Sequence, residues 1–431
     1  MKIDLRLMAI VCLLVPLLSL GWKHWRSTKP QPLSPQITVA SSSNIIPGRY
    51  SETSVPPSTE DSYQSADFRI WMPQNVQTIR GLIVKQHGCG DASAVTGLDH
   101  ANDLQWQALA LKHQFALLGM KFPTGTKPCE YWALTNYGSE AAFFRGLAAL
   151  AASSKHPELE RVPWVLWGHS GGADWSTQML QQYPERTIAA IAARGGAFLF
   201  LGTNPTIANI PVLFALGEQD KVAINETQNL PLQTFKRYRK LAAPWAVAIE
   251  AQTGHETGDT RLLAIPYLDA TIELRLPATG TDLRPIDLAQ GWLGDLSTHR
   301  IAPVSKFEGN ALAAVWLPNE ETALKWQAYS TTGKILPTRK PAAPTDLKVT
   351  KVSTTEALLT WHFTPDLENG LPSFHIYRNN SLIETVMGQR HNFGDAPEPP
   401  TVGLEFRDRS YTANSTYAVA AFNPIGESMN R

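Results

Sequence analysis

The stretch Val162-Pro163-Trp164-Val165-Leu166-Trp167-Gly168-His169-Ser170-Gly171-Gly172-Ala173 decides the fold of this chain. Its first half has the apolar, aromatic and β-branched composition of a buried strand, and the residues from Ala173 to Tyr183 have a helical pattern. Small residues at positions 168, 171 and 172 permit a sharp turn between that strand and that helix. Ser170 is therefore predicted to project into solvent from a tight strand-to-helix turn.

Similar strand patterns occur on both sides of this stretch, between Tyr63 and about Pro277. They are short apolar runs separated by helix-like segments: Leu82-Ile83-Val84, Phe115-Ala116-Leu117-Leu118, Pro211-Val212-Leu213-Phe214 and Ala246-Val247-Ala248-Ile249. One helical segment extends from Ser139 to Ser153, with Ser139 as its expected cap. The alternation predicts an α/β fold with a doubly wound, mostly parallel sheet.

A serine hydroxyl is a weak nucleophile until a neighbouring base accepts its proton, and that base needs an orienting carboxylate. After the strand that ends at Phe214 come Glu218 and Asp220, and after the strand that ends at Ile249 comes His255. Parallel strands end at the same edge of a sheet, so these residues are expected to meet Ser170 there. We predict Asp220 as the orienting acid and His255 as the base, with Glu218 as the alternative acid.

When an activated serine attacks a carbonyl carbon, negative charge develops on the carbonyl oxygen, and N–H donors are needed to stabilise this oxyanion. One donor is predicted to be the N–H of Gly171, which directly follows the serine. The loop His87-Gly88-Cys89-Gly90 follows the strand at Leu82-Ile83-Val84, and its glycines allow a close backbone approach. The N–H of Cys89 is the predicted second donor.

The overall composition limits the classes of partner. The 431 residues include 38 Lys and Arg against 38 Asp and Glu, so no broad positive field for nucleic-acid binding is expected. No zinc-type cluster or phosphate-binding glycine loop is evident, and no cofactor or metal is predicted. The expected substrate is a neutral or weakly charged small molecule or polymer.

The first 26 residues predict a signal peptide or a membrane anchor, because a basic start precedes an apolar stretch over residues 7–22. A flexible Pro/Ser/Thr-rich linker is expected over residues 27–62. Export to the periplasm or the exterior is therefore predicted, with retention at the membrane as the alternative. Because Cys12 lies in the first segment, the exported chain would hold Cys89 and Cys129, which either form a disulfide or stay as two buried thiols.

The remaining sequence divides into three parts. The catalytic domain is predicted over residues 63–333, with an extension in which Asn319 could open a helix that ends before Gly333. Residues 334–343 form a predicted Pro-rich linker. Residues 344–431 alternate in the manner of strands and resemble a fibronectin type III module, with Trp361 on its second strand and Tyr417 as the tyrosine whose hydroxyl bonds back to the chain.

The motifs as a set resemble the polyhydroxybutyrate depolymerase and feruloyl-esterase-like group of α/β-hydrolases over about residues 65 to 260. The carriers of the resemblance are His87-Gly88-Cys89-Gly90, Lys127-Pro128-Cys129-Glu130-Tyr131-Trp132, Gly168-His169-Ser170-Gly171-Gly172-Ala173, Gly217 to Val222 and Gly254-His255. The resemblance implies a disulfide between Cys89 and Cys129, and an ester substrate. The sequence departs from the group at His169, Gly171 and Glu130.

Three hypotheses follow from the sequence. The first is an exported carboxylic-ester hydrolase that uses Ser170, His255 and Asp220 and forms an acyl-enzyme. The second is an inert surface protein that binds or adheres through the fibronectin-like module, which could contact a surface or a polymer. The third keeps the same three residues but cleaves a peptide or an amide.

Overall fold

The computed structural model describes residues 46–58, 61–125, 128, 130–196, 205–222, 230–368, 370, 372–388 and 404–429. Residues Ser43 to Arg431 form one compact unit, and the other unit, Met1–Ser42, lies outside the described residues. The predicted signal or anchor over residues 1–26 therefore stays a prediction. Within the described ranges, no helix combines the length and the apolar character needed to cross a membrane.

An eight-stranded sheet forms the centre of the molecule. Its strands are β1 (Gly48–Val55), β2 (Ala66–Pro73), β3 (Gly81–Gln86), β4 (Phe115–Lys121), β5 (Trp164–His169), β6 (Thr187–Ala193), β7 (Val212–Gly217) and β8 (Trp245–Glu250). Their order across the sheet is β1-β2-β4-β3-β5-β6-β7-β8, with β1 and β2 antiparallel to their neighbours and the other pairs parallel. The prediction of a mostly parallel sheet is confirmed, and its order is consistent with the α/β-hydrolase fold.

The parallel strands are buried along almost their entire length, as expected for a sheet that is covered on both faces. Two tryptophans of β5 show this cover directly. Trp164 packs against Phe143, and Trp167 packs against Trp106. Since residues separated by an odd number of positions in a strand point to opposite faces, the helices that carry Phe143 and Trp106 lie on opposite sides of the sheet.

Eight α-helices lie within the described ranges: α1 (Asp91–Ala94), α2 (Leu104–His113), α3 (Glu130–Ala133), α4 (Ser139–Ser154), α5 (Gly171–Gln182), α6 (Leu230–Arg239), α7 (Thr260–Arg275) and α8 (Glu320–Thr332). The helix predicted at Ser139 is α4, but Ser139 is not its cap. Gly138 precedes the helix with φ at 101°, and the Ser139 hydroxyl instead donates to the Trp132 carbonyl at 2.7 Å. The cap prediction was wrong because tertiary contact redirected the hydroxyl.

The predicted linker over residues 27–62 was wrong for residues 48–55, which form edge strand β1. All eight residues pair in register with β2, from Gly48 opposite Pro73 to Val55 opposite Ala66. The strand is polar because only its two end residues are buried and the rest are partly or fully exposed. That exposure explains why an apolar pattern gave no sign of it.

The extension predicted after the catalytic domain folds against strand β8. It holds a small antiparallel sheet in the order β10-β9-β11, made of β9 (Trp292–Gly294), β10 (Ile301–Pro303) and β11 (Val315–Leu317). Helix α8 follows, capped by Asn319, whose side chain accepts from the Thr322 N–H at 2.9 Å, and ended by Gly333 in a left-handed conformation. The prediction for α8 is confirmed at both ends.

The last part of the chain contains two facing antiparallel sheets. Their strands are β12 (Thr345–Lys351), β13 (Ala357–His362), β14 (Ser373–Arg378), β15 (Ser381–Val386), β16 (Glu405–Asp408), β17 (Tyr417–Asn423) and β18 (Gly426–Met429). The sheet orders are β12-β13-β16 and β15-β14-β17-β18. Trp361 lies on β13, the second strand of this region, as predicted, and its side chain is buried. The Tyr417 hydroxyl donates to the Asp408 carboxylate at 2.5 Å. The arrangement is compatible with a β-sandwich, and the fibronectin type III assignment stays a prediction.

Candidate active site

Ser170 lies in the sharp turn between β5 and α5, and its backbone has φ 53° and ψ −120°. Such a conformation is uncommon for a residue with a side chain, and it persists only where the surroundings impose it. Here the crowding is clear: a Cβ atom on Gly168 would lie 2.0 Å from the Gly172 carbonyl oxygen, and one on Gly172 would lie 2.4 Å from the Gln86 carbonyl oxygen. Gly168 and Gly172, two of the three small residues that the sequence places around Ser170, are thus required for the turn.

The structure brings Ser170, His255 and Asp220 into one continuous chain of hydrogen bonds. The Ser170 hydroxyl lies 2.8 Å from Nε2 of His255, and Nδ1 of His255 lies 3.0 Å from each carboxylate oxygen of Asp220. With the proton on Nδ1 directed at Asp220, the Nε2 lone pair is left to accept the proton of the serine hydroxyl. This tautomer is the one a histidine needs to act as a base toward Ser170.

The side chains of Asp220 and His255 differ in burial. The side chain of Asp220 is fully buried, whereas 23% of the His255 side chain is exposed. Asp220 also accepts from the Val222 N–H at 2.9 Å, so its carboxylate is fixed by the backbone of its own turn. The acid is therefore held in place inside the protein, and the base is accessible from outside.

Glu218, the alternative acid, is directed elsewhere. Its carboxylate accepts from the Gln252 N–H at 2.8 Å on the surface. Two histidines that could have competed with His255 also have other partners: His113 pairs with Asp269 at 2.7 Å, and His156 pairs with Glu158 at 2.9 Å. Of the candidates that the sequence offers, the geometry favours Asp220 and His255.

The loop from His87 to Gly90 lies directly beside the serine. A Cβ atom on Gly88 would lie 3.4 Å from Cβ of Ser170 and 2.7 Å from Nδ1 of His169, so only a glycine fits there. Both predicted oxyanion donors belong to this neighbourhood, because Cys89 follows Gly88 and Gly171 opens helix α5. The first N–H groups of a helix have no partner within it, which leaves the Gly171 N–H available to a ligand.

The ring of His87 fixes the start of that loop. Its Nδ1 donates to the Gly88 carbonyl at 2.6 Å, and its Nε2 accepts from the Phe122 N–H at 3.0 Å. The ring is fully buried and lies against Trp132. Burial lowers the pKa of His87 to about 4, so the ring stays neutral and keeps both hydrogen bonds near neutral pH.

His169, a position at which the sequence departs from the group that it resembles, contacts the backbone of His255. Its Nε2 donates to the backbone carbonyl of His255 at 2.7 Å. Burial lowers the pKa of His169 to about 3, so this ring is neutral as well. The residue that precedes the serine therefore contacts the loop that carries the histidine.

A buried ion pair that the sequence analysis missed lies behind the same loop. Arg194, at the end of β6, pairs with Glu250, at the end of β8. Its guanidinium also donates to the Glu256 carbonyl at 2.9 Å. In the sequence, Arg194 directly follows one apolar strand and Glu250 ends another. No local pattern indicates that these two side chains form a pair.

The predicted disulfide cannot be followed to its second cysteine. Cys89 is in a disulfide, and Cys129 lies outside the described residues. The pairing of Cys89 with Cys129 therefore stays a prediction.

Among the described residues, His113, Asp269 and Glu273 place three ligand atoms close enough together to hold a metal ion. Lys112 already bonds both carboxylates, to Asp269 at 2.7 Å and to Glu273 at 2.8 Å. The ammonium thus occupies the position that a cation would need. None of these residues belongs to the Ser170 site.

Comparison with known proteins gives structural similarity only. No protein-family model matches the sequence, and no curated protein matches it. Three of the similar solved structures are a ferulic acid esterase (10% identity, TM-score 0.38, 49% of this chain and 92% of that one), the poly(3-hydroxybutyrate) depolymerase LpqC from Bordetella parapertussis (16%, 0.36, 53% and 87%) and an S-formylglutathione hydrolase from Agrobacterium tumefaciens (12%, 0.38, 53% and 96%). At these TM-scores the similarities assign no activity to this chain.

Proposed function

We propose that this chain is a serine hydrolase that cleaves carboxylic esters, with Ser170 as nucleophile, His255 as general base and Asp220 as the acid that orients the base. The observation that carries the proposal is the unbroken hydrogen-bond chain from the Ser170 hydroxyl through the His255 ring to the Asp220 carboxylate. Each distance lies within the range expected for such a relay. The strained turn at Ser170 supports it, since strain of this kind concentrates at functional sites.

The reaction would proceed in two stages. Ser170 Oγ forms a bond to the ester carbonyl carbon while its proton passes to Nε2 of His255, which gives a tetrahedral oxyanion. Collapse of that intermediate breaks the bond to the alcohol oxygen, which takes the proton from Nε2 and leaves. Water then attacks the acyl-enzyme, giving its proton to Nε2, and the returning proton restores the Ser170 hydroxyl as the acid departs.

The N–H groups of Gly171 and Cys89 are proposed to stabilise the oxyanion. Support comes from the position of both residues beside Ser170, one at the start of α5 and one directly after Gly88. Loss of one such donor costs on the order of 100-fold or more in rate. A disulfide between Cys89 and Cys129 would hold the second donor in place, and we propose that pairing as part of the site.

Three further parts of the proposal concern the rest of the chain. Residues 1–26 are proposed as an export signal, with a retained membrane anchor over residues 7–22 as the alternative. The region over residues 344–431 is proposed as a fibronectin type III module that contacts a surface or a polymer. The substrate is proposed to be a small or polymeric ester, and no cofactor is invoked because every step uses side chains or backbone groups of the site.

The purified full chain should hydrolyse short nitrophenyl esters, and Ser170→Ala should lower kcat on them by at least about 10⁴-fold, because the substitution removes the nucleophile. Ser176→Ala is the matched control, since Ser176 is a fully buried serine in α5, the helix that follows Ser170. This variant should keep kcat within twofold of the unmodified chain.

A Ser170→Ala protein with full activity would contradict the proposal. A comparable rate on the matching nitroanilide would favour an amidase or peptidase that uses the same three residues. A folded chain with no activity on either substrate class would favour the inert binding protein.

A further inference from the structure

The loop that carries His255 is not held by the Ser170 site alone. This loop, residues 251–259, connects β8 to α7, and here it is named the His255 loop. Two of its carbonyl groups accept from the buried Arg194 guanidinium, that of Glu256 at 2.9 Å and that of Thr257 at 3.4 Å. The position of the base thus depends on a residue that never touches the reacting atoms.

Glu250 fixes both Arg194 and the far end of the His255 loop. One oxygen of its carboxylate pairs with Arg194, and the other accepts from the Asp259 N–H at 2.9 Å. Gly258 allows this approach, because a Cβ atom there would lie 2.4 Å from Glu250 Oε2. The side chains of Arg194 and Glu250 are 0% and 5% exposed, so water cannot replace these bonds.

The last member of this network comes from the extension after the catalytic domain. The Tyr329 hydroxyl on α8 donates to Glu250 Oε2 at 2.6 Å. Burial of the phenol, reinforced by the neighbouring Glu250 charge, raises the pKa of Tyr329, so the hydroxyl keeps its proton at any working pH. Trp326 of the same helix donates to the Val247 carbonyl of β8 at 2.8 Å, which fixes α8 against the strand that ends in Glu250.

We propose that Tyr329 is a positioning residue for His255, and that the extension over residues 282–333 serves catalysis through it. The hydroxyl orients the Glu250 carboxylate, Glu250 orients Arg194, and both hold the backbone of the His255 loop so that Nε2 stays within hydrogen-bonding distance of Ser170. This inference rests on the proposed function of Ser170 and His255. A small displacement of a base lowers the rate strongly, because proton transfer requires a short, aligned contact.

The test is Tyr329→Phe in the full chain, which removes one hydroxyl and keeps the ring. Its matched control is Tyr267→Phe, since Tyr267 is a fully buried tyrosine whose hydroxyl donates to the Pro244 carbonyl at 3.3 Å, away from the His255 loop. For Tyr329→Phe we expect kcat and kcat/KM to fall together by about 10-fold with KM unchanged, as for a contact that matters only in the transition state. For Tyr267→Phe we expect kcat to stay within twofold.

Rates are to be divided by the concentration of sites that a fluorophosphonate labels, so that partial unfolding of a variant does not count as lost catalysis. The proposal is overturned if Tyr329→Phe matches Tyr267→Phe in kcat, or if only KM rises. Either outcome with an inactive Ser170→Ala protein leaves the proposed function intact. Unchanged activity of Ser170→Ala would instead overturn that function.

Discussion

The two ends of the parallel strands in the central sheet, here called the carboxyl edge and the amino edge, carry different kinds of residues. At the carboxyl edge, the residues after β5, β7 and β8 form the chain of hydrogen bonds that joins Ser170, His255 and Asp220. At the amino edge, the residues before β3, β4 and β5, together with residues 278–281, line an open cavity of about 790 Å³. The described residues that line this cavity include no serine, cysteine or histidine.

The cavity at the amino edge therefore does not mark the position of the candidate active site. Polar groups at the amino edge complete structural contacts, as when Glu158 accepts from the Ile79 N–H at 2.9 Å. Polar groups at the carboxyl edge form a chain of hydrogen bonds. The Asp220 carboxylate favours a proton on Nδ1 of His255, and Nε2 is then free to accept the proton of Ser170. In an α/β sheet the carboxyl edge is where ligands are expected to bind.

Apart from loss of the nucleophile in Ser170→Ala, the largest effect should come from Asp220→Asn at the carboxyl edge. The amide keeps the shape of the side chain but no longer stabilises the charged His255 ring or fixes its tautomer, so we expect kcat to fall by about 10³- to 10⁴-fold. Steady-state hydrolysis of a nitrophenyl ester measures it.

Two controls separate this effect from general damage. Glu218→Gln changes the alternative acid on the same turn, and Arg161→Ala changes a residue that lines the amino-edge cavity. Gln at position 218 keeps a carbonyl oxygen that can still accept from the Gln252 N–H, and Arg161 lies at the amino edge, so both variants should leave kcat within about threefold. A larger loss in Glu218→Gln than in Asp220→Asn would reverse the assignment of the acid.

Crowded glycines at the two edges should respond differently. In Gly168→Ala the new methyl would lie 2.0 Å from the Gly172 carbonyl oxygen, and in Gly81→Ala it would lie 2.3 Å from the Phe115 ring. Both changes should lower the free energy of unfolding, on the order of 1–3 kcal/mol or more, because cores resist overpacking. Only Gly168→Ala should also abolish most activity per folded molecule, since it distorts the turn at Ser170.

Denaturant unfolding gives the folded fraction, and ester hydrolysis gives the rate for each folded molecule. Normal activity of folded Gly168→Ala protein would show that the strained turn is not needed for the reaction. Loss of activity in folded Gly81→Ala protein would show that the amino edge is coupled to the site.

The last prediction concerns the pH dependence of stability and involves no change in the rate of the reaction. Burial lowers the pKa of His87 to about 4 in the folded chain, against about 6.5 for an exposed histidine. Between these values the unfolded chain binds a proton that the folded chain does not. His87 therefore makes the free energy of unfolding rise with pH, by about 1.4 kcal/mol per pH unit, and that contribution is lost as the pH falls toward 4.

Urea unfolding between pH 4.5 and 6.5 tests this statement. In His87→Gln the slope of stability against pH should be smaller than in the unmodified chain by about that amount, while Arg161→Ala should keep the original slope. Equal slopes in all three proteins would mean that His87 is not buried as a neutral ring.

Much of the carboxyl edge could be predicted from local patterns. Apolar runs located β3, β4, β5, β7 and β8, and the polar residues after three of them included Ser170, Asp220 and His255. This worked because strands buried on both faces are apolar throughout and because parallel strands end at one edge. Helix α8 was predictable for a similar reason, since Asn319 and Gly333 mark its ends locally.

Other features depend on contacts between distant residues and left no local pattern. Strand β1 is mostly exposed, so its residues look like a linker until they pair with β2. Arg194 and Glu250 are 56 residues apart in the chain, and Glu250 and Tyr329 are 79 apart. Taken singly, Arg194 and Glu250 have the pattern of charged residues at strand ends, and Tyr329 has the pattern of a core tyrosine. Only the folded chain brings the three side chains into contact behind the His255 loop.

Covalent labelling of the full chain by a fluorophosphonate, with the modified residue identified by peptide mass spectrometry, tests most directly whether Ser170 is an activated nucleophile. Such a probe reacts with a serine only where a base activates the hydroxyl. If His255 activates Ser170, we expect one label per molecule, located on Ser170 and lost in Ser170→Ala but retained in Ser176→Ala. Absence of labelling in the folded chain, or a label on any other residue, would contradict this activation of Ser170.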